Sequence, residues 1–171
     1  MAELWDIYDI DRNKTGRLHE RGKQMNAGDY HLVVNVWIMN NKGEFLISKR
    51  ASEAACGMWQ TTGGAAVAGD DSLTTALKET QEELGITLDA KNGQIVKQYN
   101  FTHLYLSGNA ICDVWLFSQD IDISTIVFQP NETCDAMWAS SGKIKQMIKE
   151  KTFMTEWYPY IDELFGYCSK N

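Results

Sequence analysis

The stretch from residue 63 to residue 86, GGAAVAGDDSLTTALKETQEELGI, restricts the fold more than any other part of the chain. Asp70 and Asp71 precede a helical pattern, where acidic and capping side chains are favoured. Gly85 follows that pattern at the position of a left-handed C-cap. The segment therefore predicts a glycine-rich loop and then a helix over 72–84. One face of this helix carries small and apolar side chains at 3.6-residue spacing: Leu73, Ala76, Leu77, Thr80 and Leu84.

Three carboxylates of the same helix, Glu79, Glu82 and Glu83, share a face that we expect to lie opposite the apolar stripe. Like charges at this spacing repel by roughly 0.2–0.5 kcal/mol per pair. Bound Mg²⁺ would remove the repulsion, since this ion is held by a few carboxylates, waters and substrate phosphates. The alternative is a solvated acidic face balanced by Lys78 and other lysines. The carboxylates alone do not decide between the two.

Two other ligand-binding motifs, the P-loop and the EF-hand, are excluded because residues that they require are absent. Gly64 and Gly69 have P-loop spacing, but Asp70 and Asp71 follow where that motif needs Lys and Ser or Thr. The N-terminal DIDRNKTGRLHE has Lys14 where the EF-hand needs glycine. We interpret that segment as a polar hairpin turn.

Alternating and β-branched residues predict strands elsewhere, at 31–40, 44–49, 94–106 and 110–117, with an N-terminal hairpin or arm within 1–29. Helical patterns return at 140–151 and 156–165. With no linker and no repeat, the prediction is a single domain over 1–171, of the α+β class: an α/β/α sandwich with a mixed sheet.

Composition excludes several functional classes. The chain is 44% hydrophobic and 23% charged, which is typical of soluble globular proteins. A net charge of −7 disfavours nucleic acid polymers and anionic membranes as partners. No apolar run approaches the roughly 18 residues of a membrane span, no signal peptide is evident, and the four cysteines form no CxxC pair. We expect a cytoplasmic protein with free thiols.

The whole stretch resembles the Nudix box, G-x5-E-x7-R-E-U-x-E-E-x-G-U, in which U is aliphatic. Six of its nine fixed positions agree outright, and two more change conservatively, to Asp70 and Lys78. Thr80 departs most, although it is close to valine in size and lies on the apolar stripe. The matching positions are Gly64, Asp70, Lys78, Glu79, Thr80, Glu82, Glu83, Gly85 and Ile86.

The resemblance implies an α/β/α sandwich that splits diphosphates linked to another group, with Mg²⁺ or Mn²⁺ as cofactor. It makes Glu79, Glu82 and Glu83 the catalytic, metal-binding carboxylates and Gly63 the carbonyl donor. Which of Glu82 and Glu83 also helps to deprotonate water stays open. The box arginine normally orients a neighbouring glutamate, and Lys78 is not equivalent to it.

Further matches upstream, from Tyr8 to Arg50, are similar to the Nudix branch related to isopentenyl diphosphate isomerase. The strand that carries the isomerase cysteine reads MWQTTGGA here, with neither cysteine nor histidine. We therefore expect a hydrolase of a nucleoside diphosphate-type compound. The alternatives are an isomerase-like enzyme and a catalytically silent nucleotide sensor.

Four residues are candidate substrate contacts. Arg50 and His31 lie at predicted strand ends, where they could meet a phosphate or a base. Lys78 belongs to the box. Glu132 matches a position where related hydrolases often carry a glutamate that faces the site. The expected partner is a small phosphorylated molecule, and a homodimer is possible.

Overall fold

Nine strands and three helices are formed by the residues that the computed structural model describes, 2–51, 56–103 and 108–169. The strands are β1 (Leu4–Tyr8), β2 (Lys14–Glu20), β3 (Tyr30–Met39), β4 (Phe45–Arg50), β5 (Trp59–Gln60), β6 (Thr62–Ala65), β7 (Gly93–His103), β8 (Gly108–Ser118) and β9 (Thr133–Ala139). The helices are α1 (Ser72–Leu84), α2 (Ser141–Lys149) and α3 (Ile161–Cys168). The end of the strand predicted over 94–106 lies outside the described residues.

Strand β3 is central to a mixed sheet. It runs parallel to β8 along its whole length, from Tyr30 beside Asn109 to Met39 beside Ser118, and antiparallel to β6. Strands β5 and β9 extend the sheet beyond β4, and β7 pairs with β8. The near-continuous apolar sequence of β3, HLVVNVWIM, is typical of a strand that is buried on both faces.

Apolar side chains pack on both faces of this sheet. On one face Val34, Val36 and Ile38 pack with Ala76 and Leu84 of α1. On the other, side chains of the sheet pack with residues of α2 and α3: Trp37, Phe45 and Ile47 with Ile144, Met147, Leu164 and Phe165. The sheet therefore lies between helical layers, and the predicted α/β/α sandwich is confirmed.

Helix α1 has the predicted bounds and caps. The Asp71 side chain accepts a hydrogen bond from the Thr74 N–H at 2.7 Å, and Gly85 is left-handed with φ 68°. The expectation that all three glutamates lie opposite the buried stripe is wrong for Glu83, which is only 6% exposed. Seven residues separate Ala76 from Glu83, nearly two full helical turns, so both side chains lie on the buried face.

The last helix lies further along the chain than the sequence pattern predicts. The pattern at 156–165 indicated a helix, whereas α3 begins at Ile161. Pro159 gives a physical reason, because a proline disfavours helical backbone at the residue before it.

The N-terminal hairpin of β1 and β2 is present and packs against the loop that precedes α1. The Ala68 N–H donates to the Leu4 carbonyl at 2.7 Å, and the Gly69 N–H donates to the Asp6 carboxylate at 2.9 Å. At the hairpin tip, the Arg12 guanidinium pairs with the buried carboxylate of Asp113 in β8. The hairpin is thus fixed to the core at both ends. Within the described part of the chain, no helix is long and apolar enough to cross a membrane.

Candidate active site

Two adjacent glycines let the β6 backbone approach β3 and α1 closely. A Cβ on Gly63, whose φ is 152°, would lie 2.2 Å from the Val34 carbonyl oxygen of β3. A Cβ on Gly64 would lie 2.5 Å from the Glu79 carboxylate. Only glycine leaves room for both contacts. The β6 backbone and the acidic side of α1 therefore meet without an intervening side chain.

Glu83 is a buried carboxylate that accepts hydrogen bonds from residues of β6. The Thr62 hydroxyl donates a hydrogen bond to its Oε2 atom. Burial raises the pKa of Glu83 from 4.5 to about 7, although the bonds from Thr62 and from the Gly63 backbone act in the opposite direction. The structure thus retains an acidic group where its charge is disfavoured.

Glu79, one turn earlier on the helix, is half-buried beside Gly64. Burial raises the pKa of Glu79 to about 8, and repulsion from Glu83 and Glu82 adds to the effect. Glu82 is exposed at the rim. Two desolvated carboxylates and a third at the surface would all gain from a nearby cation.

A cavity of about 460 Å³ opens beside Glu83. The register that places Arg50 opposite Thr133 brings Arg50 of β4 and Glu132, which precedes β9, to this cavity. The Arg50 guanidinium donates to the Gln60 side chain at 2.9 Å and lies over the Trp157 ring, 5.5 Å from its centroid. Three predicted site residues thus line one cavity. Its other lining residues are Arg21, Gln60, Pro130 and Asn131, none of which was predicted as a site residue.

His31 and Lys78 do not line this cavity, and neither do Glu79, Glu82 and Gly63. His31 is 1% exposed and stacks on Trp5 of the hairpin, with 4.1 Å between ring centroids, so it presents almost no surface to a substrate. Lys78 pairs instead with Asp70, with 2.7 Å between Nζ and Oδ2. The Lys78 ammonium is therefore held at the side of the helix by Asp70 and not at the cavity.

The donor set suits a hard divalent cation in an open site. Carboxylate and backbone carbonyl oxygens are the ligands that Mg²⁺ prefers. Among the described residues, no group of three or more His, Cys, Asp or Glu side chains is placed so that it could hold a metal ion. An ion bound here would therefore depend on waters and substrate phosphates to complete its coordination.

The raised pKa values predict a pH-dependent stability for the metal-free protein. Glu79 and Glu83 bind protons more tightly folded than unfolded, so their contribution is fully present below about pH 4.5 and is lost as pH rises through about 7 to 8. Urea unfolding in EDTA should therefore show stability falling between about pH 5 and 8. The lowered pKa values of Asp29 and Asp71 act below this window.

Added Mg²⁺ should raise the urea midpoint more at pH 8 than at pH 5.5, because the ion binds the deprotonated carboxylates. Glu83→Gln should flatten the decline. Equal slopes for this variant and the natural protein would show that Glu83 is not responsible.

Comparison with known proteins agrees with this site. A model of the NUDIX domain matches residues 29–161. The chain is 31% identical over 167 residues to an uncharacterized Nudix hydrolase of Listeria monocytogenes, covering 96% of this chain and 94% of that one. The crystal structure of DR0079 from Deinococcus radiodurans superposes with a TM-score of 0.70 at 20% identity, covering 97% of this chain and 99% of that one.

A second solved structure, a bifunctional NMN adenylyltransferase/ADP ribose pyrophosphatase from Francisella tularensis, matches with a TM-score of 0.63 at 22% identity. It covers 81% of this chain and 41% of that one. Identities this low support the fold alone. The domain match and the full-length relative go further, and they establish that the chain belongs to the Nudix hydrolase family.

Proposed function

We propose that the protein cleaves the pyrophosphate linkage of a nucleoside diphosphate-type substrate by attack of water at phosphorus, with Mg²⁺ or Mn²⁺ as cofactor. The observation that carries this proposal is the pair of desolvated carboxylates, Glu79 and Glu83, held against Gly63 and Gly64. Such groups lower stability at neutral pH unless a cation binds them, so a structural role does not explain them.

Glu79, Glu82 and Glu83 would hold the cation together with the Gly63 carbonyl. When bound, the cation supplies Lewis acidity toward a phosphoryl oxygen. Arg50 would bind phosphate through its planar guanidinium, and its bond to Gln60 and its position over Trp157 would keep it oriented. Glu132 is placed to act as an accessory base or as a substrate contact.

Size and charge of the cavity support a small, phosphorylated substrate. About 460 Å³ lies within the usual range for small-molecule sites. Arg21 and Arg50 among its lining residues can bind phosphate oxygens, whereas Glu83 and Glu132 in the same lining require a cation between them and a phosphate. We expect the reaction to take place in the cytoplasm, on a free nucleotide rather than on a nucleic acid polymer. A homodimer stays a prediction.

His31 is left out of the proposed substrate contacts because it is buried. Lys78 is also left out, since its ammonium pairs with Asp70 at the side of the helix. The likeness to an ADP ribose pyrophosphatase supports trying ADP-ribose as a substrate and carries no further weight.

A panel of nucleoside diphosphates, triphosphates, nucleotide sugars and dinucleoside polyphosphates tests the proposal. With Mg²⁺, at least one class should release phosphate, pyrophosphate or a nucleoside monophosphate, and EDTA should abolish the release. Binding without turnover of any compound would support a silent sensor instead. Conversion of isopentenyl diphosphate to its isomer would support the isomerase-like alternative.

A further inference from the structure

One wall of the active-site cavity comes from outside the matched family domain. The NUDIX model matches residues 29–161, whereas Arg21 lies before that segment, just after β2. Arg21 nevertheless lines the same cavity as Glu83, Arg50 and Glu132. The segment that follows the N-terminal hairpin therefore contributes the positively charged Arg21 side chain to a cavity whose other lining residues belong to the matched domain.

Several contacts fix the Arg21 backbone and the residue it pairs with. The Arg21 N–H donates to the Glu3 carbonyl at 2.9 Å, which continues the pairing of β1 with β2. The Glu3 carboxylate accepts from the Trp5 indole N–H at 2.9 Å, and Trp5 itself is held by its stack on His31. The fold of the hairpin thus holds the Arg21 backbone and its partner Glu3 in place beside the cavity.

The Arg21 guanidinium can exchange its partner at small cost. Its Nη1 atom lies 3.0 Å from the nearer Glu3 carboxylate oxygen, and the Arg21 side chain is 60% exposed. Exposed ion pairs of this kind contribute only about 0–1 kcal/mol. A second anion that enters the cavity can therefore compete with Glu3 for Arg21.

Charge decides which anion competes best. A phosphate within a chain or capped by a sugar carries one negative charge, as Glu3 does, so the exchange gains little. A terminal phosphate carries about −1.5 to −2 near pH 7 and three acceptor oxygens. Arginine binds such a group through two parallel N–H donors. Arg21 therefore binds a substrate with a terminal phosphate in preference to the Glu3 carboxylate.

We propose that Arg21 is a specificity-determining residue that binds the terminal phosphate of the substrate. The protein then prefers nucleoside di- and triphosphates to nucleoside diphosphate sugars, in which the distal phosphate is capped. This inference rests on the proposed function, because it concerns the same site. Glu3 holds the guanidinium until the substrate arrives.

Arg21→Gln tests the inference, with Lys23→Gln as the matched control. Lys23 lies two residues away, loses the same charge, and pairs with Glu20 rather than lining the cavity. Arg21→Gln should raise KM for the preferred nucleoside di- or triphosphate on the order of 10-fold or more, as expected for loss of a charge-assisted bidentate contact. Its kcat should stay nearly constant, and KM for the capped sugar should change little.

Equilibrium binding separates this inference from the proposed function. A non-hydrolysable methylene analogue of a nucleoside diphosphate, titrated with Mg²⁺ present, should bind Arg21→Gln more weakly than the natural protein or Lys23→Gln. Glu3→Gln should bind it more tightly, because the competing carboxylate is gone.

Two results would overturn the inference alone: equal affinity of Arg21→Gln and the natural protein, or an equal loss for capped and uncapped compounds. Weaker binding by Glu3→Gln would also overturn it. If the natural protein neither binds the analogue nor hydrolyses any compound of the panel, the proposed function fails as well.

Discussion

Glu83→Gln is expected to lower the metal-dependent hydrolytic rate by on the order of 10²–10⁴-fold, the range for removal of a group that acts in the reaction. The amide is nearly isosteric with the carboxylate and still has an oxygen that can accept the Thr62 hydroxyl. It lacks the charge that a divalent cation requires. Mg²⁺ affinity and hydrolysis should therefore fall together.

Stability should change in the opposite direction. Because burial raises the pKa of Glu83 to about 7, the natural side chain is costly above that pH without metal, and the neutral amide removes this cost. Metal-free Glu83→Gln should resist urea at pH 8 at least as well as the natural protein. Glu150→Gln, which alters an exposed carboxylate after α2, is the control for the charge change. Full activity of Glu83→Gln would refute the metal assignment.

Alanine at Gly63 and at Gly64 should have opposite kinds of effect, although the two residues are adjacent. At Gly63 a Cβ would overlap the Val34 carbonyl oxygen, a backbone atom of the central strand, and φ of 152° is unfavourable for alanine. We expect Gly63→Ala to lose about 3–5 kcal/mol of unfolding free energy.

At Gly64 the overlap is with the Glu79 carboxylate, the far end of a flexible side chain. Gly64→Ala should change the unfolding free energy by no more than about 1 kcal/mol. It should nevertheless weaken Mg²⁺ binding by about 10-fold or more, because the added methyl group displaces the Glu79 carboxylate from its position beside β6.

Urea unfolding and calorimetric Mg²⁺ titration of both variants measure these effects. Each glycine variant serves as the control for the other. A stable Gly63→Ala would show that the close approach of β6 to β3 does not have the role described. A Gly64→Ala that binds Mg²⁺ normally would show the same for the approach of β6 to α1.

The helix of the box was predictable because its information is local. Periodicity gave the bounds of α1, and Asp71 and Gly85 gave its caps. The burial of Glu83 does not follow from the prediction that it shares a face with Glu79 and Glu82 opposite the apolar stripe. The seven-residue spacing from Ala76 was a usable signal for the buried position.

The cavity was only partly predictable, since it depends on contacts between distant parts of the chain. A position at the end of a predicted strand indicated Arg50, resemblance to the family indicated Glu132, and the pairing of β4 with β9 brings the two together. Arg21 gave little signal, because one basic residue after a strand does not reveal that the hairpin folds back over the site. His31 was misjudged for the same reason, as Trp5 of that hairpin covers it.

Hydrolysis in ¹⁸O-labelled water, with the best substrate of the panel, tests most directly whether the glutamate-lined site directs water to phosphorus. With Mg²⁺, one labelled oxygen should appear in a phosphate-containing product for each bond broken, and EDTA or Glu83→Gln should suppress its appearance. Turnover that leaves the phosphate products unlabelled, or that continues undiminished without metal, would contradict the proposed chemistry.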